Sequence, residues 1–219
     1  MIPVGDVIPT RTRPVATIAI ATVTLAAAVV IRLLPEPLGA DLIAACGLTP
    51  GRFSIARALV APFVHVEWLS LAANLAVLIV FGRTLEDRLG HDRLMALYAL
   101  GAMTGALVVS LADPDWMGVV VGAGAPAGAI AGGYAALLPR SRVLMLIWLP
   151  FDFDAVELPA VILLGVWSCA QVMAAADGIA APGTGDVPAL WSALSGLVFG
   201  AGVVHLLARR ERLRVEWWG

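Results

Sequence analysis

Long apolar segments with few charges dominate the sequence and constrain its fold more than any other feature. A helix needs about 20 mostly apolar residues to cross the hydrocarbon core of a bilayer. Six segments approach or exceed this length, namely residues 15–31, 59–81, 94–111, 117–138, 158–175 and 188–208. The chain is 60% hydrophobic and 14% charged, whereas a soluble domain typically carries about 25% charged residues. The sequence therefore predicts an all-α membrane protein, a bundle of six transmembrane helices.

The segments outside this bundle are short. We predict an N-terminal segment at residues 1–14, a membrane domain at residues 15–208 and a basic tail at residues 209–219. The first apolar run is longer than the ~7–15 residues of a signal-peptide core and has no small-residue cleavage site. It ends instead at Arg32 and Pro35. We therefore expect it to be retained as the first helix.

The arginines predict the orientation of the bundle. All 14 cationic residues are arginine, and cytoplasmic loops of membrane proteins carry an excess of them. With the N-terminus inside, the outer segments hold only Arg32, Arg52 and Arg57. The inner segments then hold Arg11, Arg13, Arg83, Arg88, Arg93, Arg140, Arg142, Arg209, Arg210, Arg212 and Arg214. We expect both termini to be cytoplasmic and the protein to be a multi-pass protein of a bacterial cytoplasmic (inner) membrane.

The rest of the composition argues against other classes of site and partner. A net charge of −2 provides no basic groove for nucleic acid. Two separated cysteines predict neither a disulfide nor a metal site, and we expect no cofactor. Asp152, Asp154 and Glu157 would be costly in hydrocarbon. We therefore expect residues 143–157 to be an interfacial segment with a solvated loop.

Three of the predicted spans contain unusual residues. Ser70 and Asn74 are four residues apart in the second span, so they share one helix face. An asparagine inside a span usually faces the interior of a bundle. Small-residue stripes that allow close helix packing lie in the fourth and sixth spans, at Gly124, Gly128 and Gly132 and at Gly196 and Gly200.

Together these segments resemble the rhomboid family of intramembrane serine proteases. In the second span the match consists of His65, Leu71, Asn74, Phe81, Gly82, Leu85 and Glu86. In the fourth span it consists of Gly128, Ala129, Ile130 and Gly132. The fifth-helix region is matched by Leu138, Pro139, Arg140, Pro159, Ala160, Trp167 and Gln171, and the sixth span by Trp191, Gly196 and Gly200. The resemblance implies a rhomboid-like six-helix bundle.

The resemblance also implies catalytic positions, and this sequence departs from them. The family's nucleophilic serine falls at Ala127, its general-base histidine falls at Ala193, and an oxyanion-binding histidine is replaced by Ser70, with Asn74 retained. Alanine can neither attack a carbonyl nor accept a proton. The four positions are therefore vestigial, no catalytic residue is assigned, and we expect a pseudoprotease.

Neighbouring residues do not replace the missing groups. No serine, threonine or cysteine occurs between Ser110 and Ser141. His205 follows Ala193 by twelve residues, which is about 18 Å along a helix. An engineered knockout would change one residue, whereas the nucleophile, the base, the oxyanion histidine and a glycine position at Ser195 all differ here. The pattern favours natural inactivity.

The sequence leaves three functions open. The first is a non-catalytic protein that binds the transmembrane helices of other proteins, as clients or partner subunits, through Ser70, Asn74, Ala127 and Trp167. The second is a structural or assembly subunit of a larger membrane complex. The third is an active rhomboid protease silenced by engineered substitutions. In each case the partners are the lipid bilayer and other transmembrane proteins.

Overall fold

Helices make up most of the fold, and their order follows the apolar segments of the sequence. The structure, a computed structural model, describes residues 2–149, 152–180 and 187–208, so the predicted basic tail lies outside the described residues. The helices are α1 (Val15–Leu33), α2 (Glu36–Cys46), α3 (Ile55–Val60), α4 (Trp68–Val77), α5 (Arg83–Leu89), α6 (His91–Ala112), α7 (Gly124–Leu137), α8 (Ala160–Ala180) and α9 (Val187–Leu207). The strands are β1 (Ile2–Asp6), β2 (Arg142–Leu149) and β3 (Asp152–Pro159).

Four helices in the described part of the chain are long and apolar enough to cross a membrane. They are Val15–Leu33, Trp68–Leu89, His91–Ala112 and Val187–Leu207. The second of these joins α4 and α5 through a π-helical turn at Leu78–Gly82. The structure therefore supports a multi-pass helical membrane protein, whereas the count of six spans and the cytoplasmic termini stay predictions.

Of the two other predicted spans, the fourth contains a shorter helix and the fifth contains α8. Residues 117–138 were expected to be helical, but α7 has only 14 residues and is about 21 Å long. Residues before α7 pair with a distant loop instead, through a β-bridge between Leu48 and Val120. In α8, the part with described side chains gives an apolar helix at Ala160–Met173.

The second span starts later than its hydropathy predicts. The apolar run begins at residue 59, but the chain forms a 3₁₀ turn at Ala61–Phe63 and α4 begins only at Trp68. Pro62 lies within this turn, and proline cannot donate a helical hydrogen bond. The residues between the turn and α4 are therefore free to enter the protein interior.

A three-stranded sheet corrects the all-α prediction. The strand order is β1-β2-β3, and both pairings are antiparallel. Residues 143–157, expected to be a solvated loop, lie mostly in the β2–β3 hairpin. Arg142 pairs in register with Pro159, and Leu149 pairs with Asp152. The apolar run of β2 supplies the residues that favour a strand, and Val143 is fully buried.

The sheet and the N-terminus of α1 lie at one end of the bundle, which we call the sheet end. The fully buried Glu86 accepts hydrogen bonds there from the backbone N–H groups of Ala16 and Thr17, both at 2.8 Å. It also accepts the Thr17 hydroxyl at 2.6 Å. The first N–H groups of a helix lack helical partners and attract negative charge. Glu86 thus caps α1, whose own N-cap residue is Pro14.

Helices α7 and α9 form the closest contact in the bundle, and glycines make it possible. A Cβ on Gly196 would collide with the backbone carbonyl of Ala125, and a Cβ on Gly200 with that of Ala129. From the opposite helix, a Cβ on Gly128 would strike the Ala193 carbonyl, and one on Gly132 the Leu197 carbonyl. The small-residue stripes therefore face each other across this interface.

Candidate functional site at the starts of α4, α7 and α9

The segment before α4 brings His65 into the protein interior. His65 is 5% exposed and lies at the end opposite the sheet, which we call the His65 end. The loop before α7 lies against it, since the Gly122 N–H donates to the Ala61 carbonyl at 3.0 Å. Gly122 has a φ of +106°, a conformation that glycine adopts without strain. This turn presents the next backbone N–H, that of Ala123, to the imidazole.

His65 is held as a neutral hydrogen-bond acceptor. Its Nε2 accepts the N–H of Ala123 at 3.2 Å, and the Asn74 amide nitrogen lies 3.4 Å from the same atom. Because a backbone N–H only donates, the ring proton belongs on Nδ1. Burial disfavours the charged ring and lowers the pKa of His65 to about 4. A hydrogen bond with the Phe63 backbone raises the pKa by a smaller amount. The ring is therefore uncharged near neutral pH.

Asn74 connects His65 to α8. Its side chain is 4% exposed, and its Oδ1 accepts the indole N–H of Trp167 at 3.4 Å. Trp167 is 5% exposed. These contacts form a chain, which we call the His65–Asn74–Trp167 network, from the loop before α4 through α4 to α8. A polar amide within an apolar bundle is thereby partnered on both its oxygen and its nitrogen.

The two positions at which the resemblance places the family's nucleophile and base lie on facing helices. Ala127 on α7 and Ala193 on α9 are both almost fully buried. The Ala193 Cβ lies 3.5 Å from the point where Gly124 would carry a Cβ, and the Gln171 amide nitrogen lies 3.6 Å from that point. Around Gly124 the nearest side-chain atoms are therefore the Ala193 methyl group and the Gln171 amide of α8.

The serines near this site are not activated. Ser195 donates its hydroxyl to the Ser192 carbonyl at 2.8 Å, and Ser70 is half-buried on α4. Within the described ranges, no serine forms a hydrogen bond with a histidine. His91 pairs with Glu86 at the sheet end, and His205 is exposed near the end of α9. The described side chains include no group of three metal-ligating residues.

The four residues expected to bind a client helix differ in accessibility. Asn74, Ala127 and Trp167 are buried, whereas Ser70 is half-buried. Sequence reasoning identified Asn74 and Trp167 separately but did not pair them, and it did not identify the Gly122–Ala123 turn. The polar residues in apolar helices were the available signal, but a pairing between distant residues has no local pattern.

The fold and the site define a multi-pass helical membrane protein with a closed polar network between its helices. The Rhomboid domain family matches residues 52–210, which cover most of the chain. The chain therefore belongs to the rhomboid family. No curated protein matches the chain significantly. The matched range includes Ser70, Asn74, Ala127 and Ala193 and all of the helices α4 to α9.

Proposed function

We propose that this rhomboid-family protein is non-catalytic and binds the transmembrane helices of other membrane proteins. The observation that carries the proposal is the pair of buried alanines, Ala127 and Ala193, on the facing helices α7 and α9. These are the positions at which the family's motifs have serine and histidine. The close packing of α7 against α9 is kept around them, which supports a role in packing helices against helices.

The chemistry of the site argues against proteolysis. A serine protease needs a hydroxyl and an imidazole that removes its proton, and losing either costs on the order of 10⁶ in turnover. His65 cannot serve as the base, because its Nε2 is occupied by the Ala123 N–H at 3.2 Å. Ser195 is hydrogen bonded within its own helix.

A client helix would be bound between α4 and α8. Both helices expose apolar side chains, including Leu69 on α4 and Val166 on α8. The hydrogen bond that joins these two helices runs from Trp167 to Asn74 at 3.4 Å, and such a bond contributes about 1 kcal/mol in a membrane protein. Opening this contact would expose Ser70, Asn74 and the small residues around Ala127 to a polar or unwound client segment.

Labelling with a fluorophosphonate probe tests the absence of catalysis. Membranes containing the wild-type chain are expected to show no labelled band at its mass, since the site lacks an activated hydroxyl. The double variant Ala127→Ser with Ala193→His is also expected to remain unlabelled, because Ser70 and Ser195 still depart from the family pattern. Labelling of the wild type would overturn the proposal, and strong labelling of the double variant would favour an engineered knockout.

Photo-crosslinking tests helix binding directly. A photoreactive residue at Leu69 or Val166 is expected to capture single-span membrane proteins, whereas the same residue at Val198 on α9 is the control. All three positions are exposed, at 82%, 61% and 69%. Trp167→Phe, which removes the indole donor, is expected to increase capture at Leu69. Equal capture at all three positions would contradict the proposal.

The pattern of captured proteins separates clients from a fixed complex. Mixed, sub-stoichiometric captures support client binding. Stoichiometric co-purification of one partner set in mild detergent supports the alternative of an assembly subunit. The arginine distribution supports a bacterial cytoplasmic membrane as the location, with both termini inside.

A further inference from the structure

A cavity lies beside His65, and no residue of α7 or α9 lines it. Its volume is about 270 Å³, and it opens between the end of α1, the helix α2 and the start of α4. Its apolar walls include Ala28 and Ile31 of α1 and Leu71 of α4. The family's catalytic positions do not line it. A cavity of this size suits a small headgroup rather than a drug-sized molecule.

The cavity brings together charges of both signs. Arg32, Glu36 and Glu67 all line it, and in the part of the chain that the structure describes none of them pairs with another. The Arg32 guanidinium lies over the Trp68 ring, 5.8 Å from the centroid, which fixes the cation at the cavity wall. One cation and two carboxylates are therefore available to a ligand that carries both charges.

The inner wall of the cavity is closed by His65, which is 5% exposed. Because its Nε2 accepts from Ala123, its Nδ1 carries the ring proton. The Nδ1 atom is itself buried, and a hydrogen bond to the Phe63 backbone raises the pKa of the ring. The charges open to a ligand are therefore those of Arg32, Glu36 and Glu67.

The position of the cavity connects it to the bilayer. It lies where one long apolar helix, α1, ends and another, α4, begins, so we expect it at the depth of the lipid headgroups. Trp68, half exposed at the start of α4, is the residue type typical of that interface. Leu33 and Leu69, beside the cavity, are 79% and 82% exposed and would meet acyl chains.

We propose that this cavity binds the phosphate–ammonium headgroup of an ethanolamine phospholipid. Arg32 donates to the phosphate, since a guanidinium matches phosphate geometry well. Glu36 and Glu67 accept from the ammonium. An anionic headgroup without the ammonium would leave the two carboxylates unpaired and repelled. This proposal is independent of the proposed function.

Binding of soluble short-chain lipids to the full chain tests the proposal. The purified protein in maltoside detergent is titrated with dihexanoyl phosphatidylethanolamine, and the apparent Kd is taken from the thermal-unfolding shift. Dihexanoyl phosphatidylglycerol, which lacks the ammonium, is expected to bind at least ~10-fold more weakly, a difference of about 1.4 kcal/mol. Arg32→Gln and Glu67→Gln are each expected to weaken binding of the ethanolamine lipid by a similar factor.

Matched controls and a second measurement keep the test decisive. Arg52→Gln and Asp41→Asn change charges that do not line the cavity, so the Kd should stay within twofold. If a cavity variant fails to fold, native mass spectrometry of the wild type still compares retention of the two lipids. Equal affinity for both lipids, or an unchanged Kd in the cavity variants, would overturn the proposal. Equal binding of free phosphoethanolamine would overturn the assignment to a membrane lipid.

Discussion

At the residue scale, the most informative side chains are polar groups buried between segments that are far apart in sequence. Glu86 caps the start of α1, accepting the N–H of Ala16, which lies 70 residues earlier in the chain. His65 accepts the backbone N–H of Ala123, 58 residues later. Each side chain binds a distant part of the backbone, and the residues next to it in the sequence do not indicate this contact. Their substitution should therefore affect stability more than substitution of exposed residues of the same type.

Glu86→Gln is expected to lower the free energy of unfolding by about 2–3 kcal/mol. The amide NH₂ of the glutamine would face the N–H groups of α1, which need an acceptor. Unfolding in mixed micelles with increasing SDS measures the effect. Glu157→Gln is the control, since Glu157 is exposed and lies 3.5 Å from an exposed Arg142. That change is expected to stay within about 0.5 kcal/mol. Equal effects of the two variants would contradict the capping role.

His65 predicts a specific loss of stability in acid. Its pKa is lowered from 6.5 to about 4 in the folded protein, so between these values only the unfolded state binds the proton. Above pH 6.5 the group has no effect, and as the pH falls to 4 the folded state loses about 3 kcal/mol. Below pH 4 the loss levels off.

Unfolding of the wild type and of His65→Gln in mixed micelles at pH 7 and pH 4.5 tests this prediction. The glutamine keeps an acceptor near the Ala123 N–H but does not titrate. The difference between the two proteins isolates His65 from carboxylates that also titrate in this range. The wild type is expected to lose more stability on acidification, and parallel losses would contradict the lowered pKa of His65.

At the element scale, the α7–α9 pair and the α4–α8 pair have opposite characters. Backbone meets backbone across α7 and α9, since their glycines face carbonyls of the other helix. The α4–α8 pair is instead joined by the 3.4 Å hydrogen bond between Trp167 and Asn74. The close backbone packing of α7 against α9 leaves no room for an added atom. The α4–α8 contact, which is held by one polar pair, can open. The rigid core and the proposed binding face therefore lie on different helix pairs.

Gly200→Ala is expected to destabilise the protein by about 1–3 kcal/mol, because the added methyl would overlap the Ala129 carbonyl. Gly202→Ala on the same helix is the control, because nothing lies within 4 Å of its Cβ position. Alanine is the better helix former by about 1 kcal/mol, so Gly202→Ala should be neutral or stabilising. SDS unfolding compares the two variants, and equal effects would contradict backbone contact at α7–α9.

The elements that sequence reasoning misjudged have two causes, one for the span boundaries and one for the hairpin. Hydropathy identified α1, α6 and α9 well, because a long apolar helix is a local property. It extended the second span to residue 59 and the fourth to residue 117, since apolar loops have the same composition as apolar helices. The β2–β3 hairpin was missed because its apolar strand is stabilised by pairing with β1, which lies more than a hundred residues away.

At the scale of the whole molecule, the two ends of the bundle have distinct roles. The sheet end fixes the N-terminal segment through Glu86 and through Asp87, which accepts the Thr12 N–H at 2.8 Å. The His65 end holds the polar network and the headgroup cavity. Under the predicted orientation, the sheet end is cytoplasmic and the His65 end faces outward, at the level of the outer headgroups.

Cysteine accessibility tests this orientation in intact cells. In a background with Cys46→Ala and Cys169→Ala, a membrane-impermeant maleimide is expected to label Asp113→Cys directly. It should label Arg140→Cys only after the membrane is permeabilised, because Arg140 belongs to the arginine-rich inner side. Both sites are exposed, so a difference in labelling reports the side of the membrane on which each site lies. The reverse pattern would invert the orientation.

The sequence by itself determined the class of the protein, the main apolar helices and the family, because apolar length and motif spacing are readable along the chain. It also showed alanine at positions 127 and 193, where the resemblance places the family's serine and histidine. Only the tertiary structure decided that Trp167 closes on Asn74, that Glu86 caps α1, that a sheet replaces the expected loop and that a charged cavity lies beside His65. Apart from the β2–β3 pairing, which is local, each of these depends on contacts between residues far apart in sequence, and such contacts form only when the helices pack.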